Sequence, residues 1–318
     1  MESNLRITCP HCQKQCAVNA QHAGKTVACP HCKKNFAVPD ASQSASTSST
    51  SSSSSRMFRL DIGSATNRGQ VRQLNEDCFL VQHLTWSDLD YCRETALVIV
   101  TDGLGGHKAG DEAARIVIRT VGSAINGLLA SALGRKIRDT SVNNLNERIQ
   151  EAILQANTAV KEKSATDPSL KGMAATVSAV LIWNGQIIIG HVGDCRVYLF
   201  RNDKLEQVTV DQTLVNRMVE LGQLTPEEAK DHPARNEITQ AVGMYSRIEP
   251  ASHHMLLKQG DTVVVTSDGL NAHVDDRMIA GAIRKTGYSA SILANHLVDM
   301  ANKGGGEDNI TVAVINCI

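Results

Sequence analysis

Two segments of the chain share an apolar, strand-like run that ends in the same short turn. The run "LVIVTDGLGG" carries Asp102 and the run "TVVVTSDGLN" carries Asp268, and each aspartate is followed by Gly and Leu. Runs rich in Val and Ile predict buried strands, and the glycine after each aspartate lets the backbone turn sharply. Any fold of this chain must bury both strands and still place an ionisable side chain at the end of each.

The glycines after Asp102 allow two interpretations, a loop that wraps a phosphate or a turn that delivers a carboxylate to a metal. A dinucleotide-binding fingerprint requires G-x-G-x-x-G, but Lys108 stands where the third glycine belongs. A P-loop requires Lys after its second glycine, but Asp111 follows Gly110. Because an acid replaces the phosphate-binding cation, the pattern favours the metal turn.

Further carboxylates stand at the ends of other apolar runs. Asp194 follows "IIIGHVG", Asp308 precedes "NITVAVI", and Glu76 and Asp77 precede "CFLV". One such aspartate is usually part of an ordinary turn, but several that converge repel one another unless protons or cations neutralise them. Oxygen donors suit Mg²⁺ or Mn²⁺, and two such ions held close together can activate a water and clamp a phosphoryl group.

The pattern of apolar runs predicts an α+β fold. Asn184-Gly185 lies between two strand runs and is typical of a hairpin turn, which favours antiparallel pairing. Apolar residues at helical spacing predict helices over residues 109–133, 142–164 and 289–302. We expect sheets covered by helices. The strand runs are "FRLDIGSAT", "ALVIVT", "TVSAVLIW", "QIIIGHVG", "CRVYLF", "TVVVTS" and "ITVAVI".

Length and charge limit the class of protein. The 318 residues allow one sizeable domain and a smaller unit. A formal net charge of -1 argues against a general attraction to nucleic acid or to an anionic membrane. We find no signal-peptide pattern and no run that approaches eighteen apolar residues, so we expect a cytoplasmic protein that makes no membrane contact. In that compartment the nine cysteines indicate metal binding or burial rather than disulfides.

Three segments of the chain differ in composition. Residues 1–39 are rich in cysteine, residues 40–56 form a Ser/Thr-rich tract, and apolar runs fill residues 57–318. Because the Ser/Thr tract has almost nothing apolar to bury, it cannot offset the entropy cost of becoming ordered. We expect a small unit, a flexible linker and a main domain.

The motif "CPHC" occurs twice in the first segment and predicts a structural zinc site. Two C-x-x-C pairs with sixteen residues between them offer four thiolates to one tetrahedral ion. Cys16, His11 and His31 are alternative donors, but the repeated pairs are the simpler set. We expect a zinc ribbon that folds only with its metal. The predicted ligands are Cys9, Cys12, Cys29 and Cys32.

Seven ordered blocks of the chain resemble the metal-dependent protein phosphatase 2C family in its bacterial form. They span nearly all of residues 58–315. The blocks are "NRGQVRQLNEDCF", "VTDGLGGHKAGDEAA", "GMAATVSAVLI", "GHVGDCRVYLF", "VTVDQTLVNRMVELGQLTPEEAKDHPARNEITQAVG", "GDTVVVTSDGLNAHV" and "GGEDNITVAVI".

The resemblance implies a sandwich of two antiparallel β-sheets flanked by antiparallel helices. It also implies hydrolysis of phosphoserine and phosphothreonine in proteins by a metal-activated water, with two Mn²⁺ or Mg²⁺ ions. On this basis Asp102 bridges both ions, Asp268 and Asp308 bind one, and Glu76 and the Gly103 carbonyl bind the other.

Three further residues match functional positions of the family. Arg72 matches the arginine that binds the substrate phosphate, and its planar fork suits phosphate oxygens. Asp77 matches a carboxylate just outside the ligands, and Asp194 matches the aspartate associated with a third, weaker ion. We assign no catalytic role to His107, although a histidine near the site could protonate a leaving group.

Several residues depart from the family pattern. Ala272 stands four residues after Asp268, where the family often has Asp or Asn, which puts the third ion in doubt. Cys195 replaces a common Ser, and Gln212 lies in "DQT" where Asp-His-Ser is frequent. Ala174 and Ala175 stand where Gly or Thr is usual, so specificity or rate could differ.

The leading hypothesis is a cytoplasmic protein-serine/threonine phosphatase that acts on phosphorylated proteins and opposes a serine/threonine kinase. One alternative is a non-catalytic phosphoprotein-binding module that is recruited through its zinc ribbon. Another is a nucleic-acid-associated regulator, which the near-neutral charge disfavours.

Overall fold

The computed structural model describes residues 4–8, 14–22, 25–37, 59–88, 91–106, 108–133, 141–285 and 289–318. The chain divides into two compact units, Met1–Arg56 and Met57–Ile318, which are described separately. The proposed linker, Cys9, Cys12, His11 and His107 lie outside the described residues.

The first unit contains two antiparallel hairpins. Strand β1 (Asn4–Thr8) pairs with β2 (Gln15–Asn19), and β3 (Thr26–Ala28) pairs with β4 (Asn35–Ala37). A short 3-10 turn, Ala20–His22, follows β2. A small core of Cys16, Val18, Cys29 and Phe36 is buried between these elements.

The second unit contains two five-stranded sheets in which every pairing is antiparallel. The first sheet has the order β14-β11-β10-β7-β6, and the second has the order β13-β12-β15-β16-β5. A two-residue pair, β8 with β9, forms a small separate ladder. The strands are β5 (Leu60–Asn67), β6 (Cys78–Asp88), β7 (Tyr91–Thr101), β8 (Gly103–Leu104), β9 (Ala174–Ala175), β10 (Val177–Trp183), β11 (Gln186–Val192), β12 (Arg196–Arg201), β13 (Lys204–Gln207), β14 (Ala251–Leu256), β15 (Thr262–Thr266) and β16 (Ile310–Cys317).

Both faces of the central strands are buried, which explains their continuous apolar sequences. Along β7, Val98 and Val100 lie in the core between the sheets, whereas Leu97 and Ile99 lie in the core beneath the helices. Along β15, Val264 likewise belongs to a helix-covered core. Successive side chains of a strand point to opposite faces, so a strand between two layers must be apolar throughout.

Seven α-helices among the described residues accompany the sheets. The expected long helices are confirmed as α1, α2 and α7, whereas the sequence patterns did not reveal the short helices α3 to α6. Strands β13 and β14 were also missed, because an edge strand with alternating exposure carries little apolar signal. The helices are α1 (Lys108–Leu133), α2 (Val142–Thr166), α3 (Leu214–Glu220), α4 (Pro226–Lys230), α5 (Asp268–Asn271), α6 (Asp276–Arg284) and α7 (Ala290–Gly304).

From the sequence we expected no segment with the character of a membrane span, but helix α1 meets that description. In the described part of the chain, Ala109–Ala130 of α1 is long and apolar enough to cross a membrane by length and composition alone. Val117, Val121 and Ile125 form a buried stripe on this helix in the first sheet's core. A stripe of this kind is typical of a helix that packs on a sheet, so the composition of α1 has an explanation within the fold.

We predict opposite effects of one added methyl group at two glycines. A Cβ at Gly63 of β5 would lie 2.1 Å from the Ser291 backbone nitrogen of α7, so Gly63→Ala should lower the free energy of unfolding by about 1–3 kcal/mol. A Cβ at Gly281 within α6 meets nothing within 4 Å, so Gly281→Ala should raise it by about 0.4–1 kcal/mol. Urea unfolding measures both, and equal stability of the two variants would contradict the close packing of α7 on β5.

Candidate active site

The turn after β7 is held in place by hydrogen bonds on both sides of Asp102. The Asp102 N–H donates to Thr176 Oγ1 at 2.9 Å, and the Thr176 N–H donates to the Asp102 carbonyl at 2.9 Å. Gly103 and Leu104 then form β8, whose partner is Ala174–Ala175. The aspartate is therefore fixed at the end of a central strand of the first sheet.

Glycines allow the Asp102 turn to lie against the start of α1. A Cβ at Gly110 would lie 2.7 Å from the Gly103 carbonyl oxygen and 3.0 Å from Glu76 Oε1. A Cβ at Gly103 would lie 2.3 Å from the Gly110 carbonyl oxygen. Only residues without side chains permit this approach. It places the Glu76 carboxylate and the Gly103 carbonyl next to Gly110.

Asp268 begins α5, directly after β15 of the second sheet. A Cβ at Gly269 would lie 2.0 Å from the Asn309 carbonyl oxygen, so the Asp-Gly pair packs tightly against the start of β16. The preceding residue, Ser267, donates from its hydroxyl to Asp77 Oδ2 at 2.7 Å and accepts from the Thr311 N–H at 3.0 Å. These bonds connect Asp77 to the base of the Asp268 turn.

The loop of residues 68–76 is fastened to the segment that carries Asp308. Asn309 Nδ2 donates to the Arg68 and Leu74 carbonyls at 2.9 Å each, and its Oδ1 accepts from the Glu76 N–H at 2.7 Å. Arg72 extends from this loop, and its Nη2 lies 2.7 Å from Asp308 Oδ2. The loop thus carries Arg72 and Glu76 together.

The electrostatic properties of the cluster follow from burial and mutual repulsion. Burial raises the pKa of Asp102 well above its ordinary value, and Asp77, Asp268, Asp194 and Asp308 raise it further. Burial likewise raises the pKa of Asp268 to about 6 with help from Asp308, although a hydrogen bond with Asp102 and the charge of Arg72 oppose the rise. Burial raises the pKa of Asp77 to about 7. A bound cation would relieve this cost of gathering negative charge.

Asp194 lies where the chain passes from β11 of the first sheet to β12 of the second. Gly193 exchanges two hydrogen bonds with Gln212: its N–H donates to Gln212 Oε1 at 2.9 Å and its carbonyl accepts from the Gln212 N–H at 2.8 Å. Arg196 forms a forked ion pair with Asp211 at 2.7–3.0 Å. Burial, followed by the charges of Asp268 and Asp211, raises the pKa of Asp194 well above its usual range.

The donors present suit a hard divalent cation in their chemistry. They are oxygens, and Asp268 Oδ1 and Asp194 Oδ1 are buried without a hydrogen-bond partner. In the described ranges, however, no three His, Cys, Asp or Glu side chains form a group that could hold a metal as they stand. The carboxylates lie close enough together that several of them raise the pKa of Asp102. The assignment of individual ligands remains a prediction.

Sequence reasoning missed the residues that hold the site together. Thr176, Ser267 and Asn309 each bond to the backbone or side chain of a neighbouring site segment. Ser267 and Asn309 adjoin Asp268 and Asp308 in sequence, which is the one signal that could have suggested them. Thr176 is distant in sequence from Asp102 and gives no such signal.

Comparison with known proteins identifies the larger unit. A family model described as Protein phosphatase 2C matches residues 66–296. Protein phosphatase PhpP of Streptococcus pneumoniae is 34% identical over 264 residues, which cover 81% of this chain and 97% of that protein. Serine/threonine protein phosphatase PstP of Mycobacterium tuberculosis is 32% identical over 259 residues, 81% of this chain and 45% of that protein. The chain thus spans about half the length of PstP.

Solved structures agree with these relatives. The S. agalactiae serine/threonine phosphatase has a TM-score of 0.69 at 32% identity, over 82% of this chain and 100% of that one. The catalytic domain of PstP in complex with two manganese ions has a TM-score of 0.66 at 29% identity, over 82% and 100% of the respective chains. The likeness confirms the expected sandwich, and the chain belongs to the protein phosphatase 2C family.

Proposed function

We propose that the protein is a metal-dependent phosphatase that removes phosphate from phosphoserine and phosphothreonine in proteins. The single observation that carries this proposal is the cluster of carboxylates at strand ends of both sheets, in which burial and neighbouring carboxylates raise the pKa of Asp102 and of Asp268. Relatives named serine/threonine phosphatases and a related structure with two manganese ions support it.

Two Mn²⁺ or Mg²⁺ ions would supply an activated water and neutralise charge on the phosphoryl group. Asp102 would bridge them, Asp268 and Asp308 would bind one, and Glu76 with the Gly103 carbonyl would bind the other. Asp77 would support these ligands through Ser267, which accepts the Thr311 N–H and donates to Asp77. Asp194 is the candidate ligand for a third ion, and Ala272 offers no carboxylate to help it.

Arg72 would bind the phosphate of the substrate. Its side chain is half exposed on a loop that Asn309 anchors at two carbonyls, so the guanidinium is accessible and its backbone is fixed. The bond to Asp308 leaves other N–H groups of the fork to donate to phosphate oxygens.

We propose a zinc ribbon for the first unit, with Cys9, Cys12, Cys29 and Cys32 as ligands. The Cys29 side chain is buried, and its Sγ accepts the His31 N–H at 3.4 Å. Lys33 has a φ of 62° and donates its N–H to the Cys29 carbonyl at 2.9 Å, which closes a tight turn around the second "CPHC". Donation from backbone N–H groups would stabilise a thiolate there.

The biological setting is a further part of the proposal. Phosphorylated proteins of a serine/threonine kinase pathway would be the substrates, in keeping with the named phosphatase relatives. A cytoplasmic location remains a prediction from the sequence.

Replacing one carboxylate should abolish turnover without unfolding the protein. Asp268→Asn removes a charge from the cluster, and we expect Mn²⁺-dependent release of phosphate from a phosphothreonine peptide to fall at least about a hundredfold. Asp299→Asn on the exposed face of α7 is the control and should behave as wild type. Full turnover by Asp268→Asn would overturn the proposal. Peptide binding without turnover by the wild type would favour the non-catalytic phosphoprotein-binding module.

Loss of the guanidinium should weaken phosphate recognition. Because charged hydrogen bonds contribute about 1.5–3 kcal/mol, Arg72→Ala should raise KM by about ten- to a hundredfold for both a phosphopeptide and para-nitrophenyl phosphate. Arg72→Lys keeps the charge without the fork and should fall between. The exposed Arg119→Ala of α1 is the control. An unchanged KM in Arg72→Ala would exclude a direct role in phosphate binding.

Elemental analysis tests the zinc ribbon. The purified full chain should contain one zinc per molecule after dialysis against a weak chelator, and Cys29→Ser should lose it because three thiolates hold the ion less tightly. Cys317→Ser, at a buried cysteine of β16, should retain the zinc. Zinc-free wild-type protein with a folded first unit would refute the ribbon.

A further inference from the structure

A buried amide lies on the apolar face of α2, at a distance from the carboxylate cluster in the chain. Asn157 is 3% exposed and shares its face with Ile153, Ala156 and Val160. An amide in such a place costs free energy unless its donors and acceptor are bonded. Both ends are bonded here: Nδ2 donates to the Tyr245 carbonyl at 3.1 Å, and Oδ1 accepts from the Gly243 N–H at 2.7 Å.

The turn that Asn157 holds fits closely against α2. Gly243 has a φ of +93°, and a Cβ there would lie 2.4 Å from Val160 Cγ1 and 2.8 Å from the Met173 carbonyl oxygen. The Met244 N–H donates to the Ala241 carbonyl at 3.1 Å, which closes the turn. The Asn157 amide and the absence of a side chain at Gly243 together fix the distance between residues 241–245 and α2.

The 241–245 turn pairs with β9, and β9 pairs with the turn that follows Asp102. Val242 and Ala175 exchange two backbone hydrogen bonds, at 2.9 and 2.8 Å. Ala175 pairs on its other side with Gly103, and the next residue, Thr176, bonds to both sides of Asp102. Since β8 and β9 have only two residues each, this ladder has little stability of its own and needs support from the next segment.

We propose that Asn157 is a positioning residue for the metal centre. By holding the 241–245 turn on α2, it fixes Ala175 and through it the orientation of the Gly103 carbonyl and the Asp102 carboxylate. The inference deepens the proposed function and rests on the metal centre assigned there. It predicts that Asn157, which is not one of the proposed metal ligands, determines how tightly the divalent ions bind.

The test is a titration of the full chain with Mn²⁺, in which electron paramagnetic resonance measures the concentration of free Mn²⁺. Asn157→Leu has a similar volume and removes both hydrogen bonds. We expect it to weaken Mn²⁺ binding about tenfold, the lower range for residues that orient metal ligands. Asn157→Asp keeps the shape and the acceptor for Gly243, but it loses the donor to the Tyr245 carbonyl and buries a carboxyl group, so it should also weaken binding.

The control is Ile149→Ala on the same helix. Ile149 packs against Gly190 of β11 and makes none of the hydrogen bonds described for the 241–245 turn, so this variant should lower stability while those bonds remain. Its Mn²⁺ affinity should stay within twofold of wild type at a similar unfolding midpoint. Affinity within twofold of wild type in both Asn157 variants would overturn the inference.

The proposed function and the role of Asn157 fail in different ways. A wild-type chain that binds Mn²⁺ but releases no phosphate would refute the phosphatase activity and leave the binding comparison valid. A wild-type chain that binds no Mn²⁺ would refute both.

Discussion

The repulsion among buried carboxylates is the interaction on which the rest of the second unit depends. Burial raises the pKa of Asp102, Asp194 and Asp268, and neighbouring carboxylates raise each of them further. Such groups separate if the backbone lets them, because charge in a poorly hydrated place is costly. The surrounding structure opposes this movement with short backbone ladders, glycines in close contact and buried hydroxyl and amide side chains.

The sandwich supplies the carboxylates from both of its sheets. Asp102 ends a strand of the first sheet, Asp268 and Asp308 adjoin strands of the second, and Asp194 lies in the crossing between them. Since strand termini of both layers meet at one end, four separate segments contribute to a single site. The loop of residues 68–76 joins them through Asn309, which binds it at Arg68, Leu74 and Glu76, and through the ion pair of Arg72 with Asp308.

Two residues that depart from the family pattern, Gln212 and Cys195, make hydrogen bonds close to the carboxylates. Gln212 forms a two-bond clamp on Gly193, next to Asp194. The Cys195 side chain is buried, and its Sγ lies 2.9 Å from Thr176 Oγ1, which also accepts the Asp102 N–H. These contacts join the Asp102 and Asp194 turns. Ala272 is the exception, because its methyl side chain has no oxygen to offer a third ion.

The sequence by itself determined the buried strands, the three long helices and the family, because apolar periodicity and ordered motifs are local properties of the chain. It also indicated which carboxylates belong together, through the repeated Asp-Gly-Leu turn. Only the tertiary structure decided what holds them: Thr176, Asn309 and Asn157 act across 74 to 241 residues of chain, and no local pattern records such partners. The short helices and the edge strands β13 and β14 were also decided by packing, since their own sequences carry too little apolar signal to specify them.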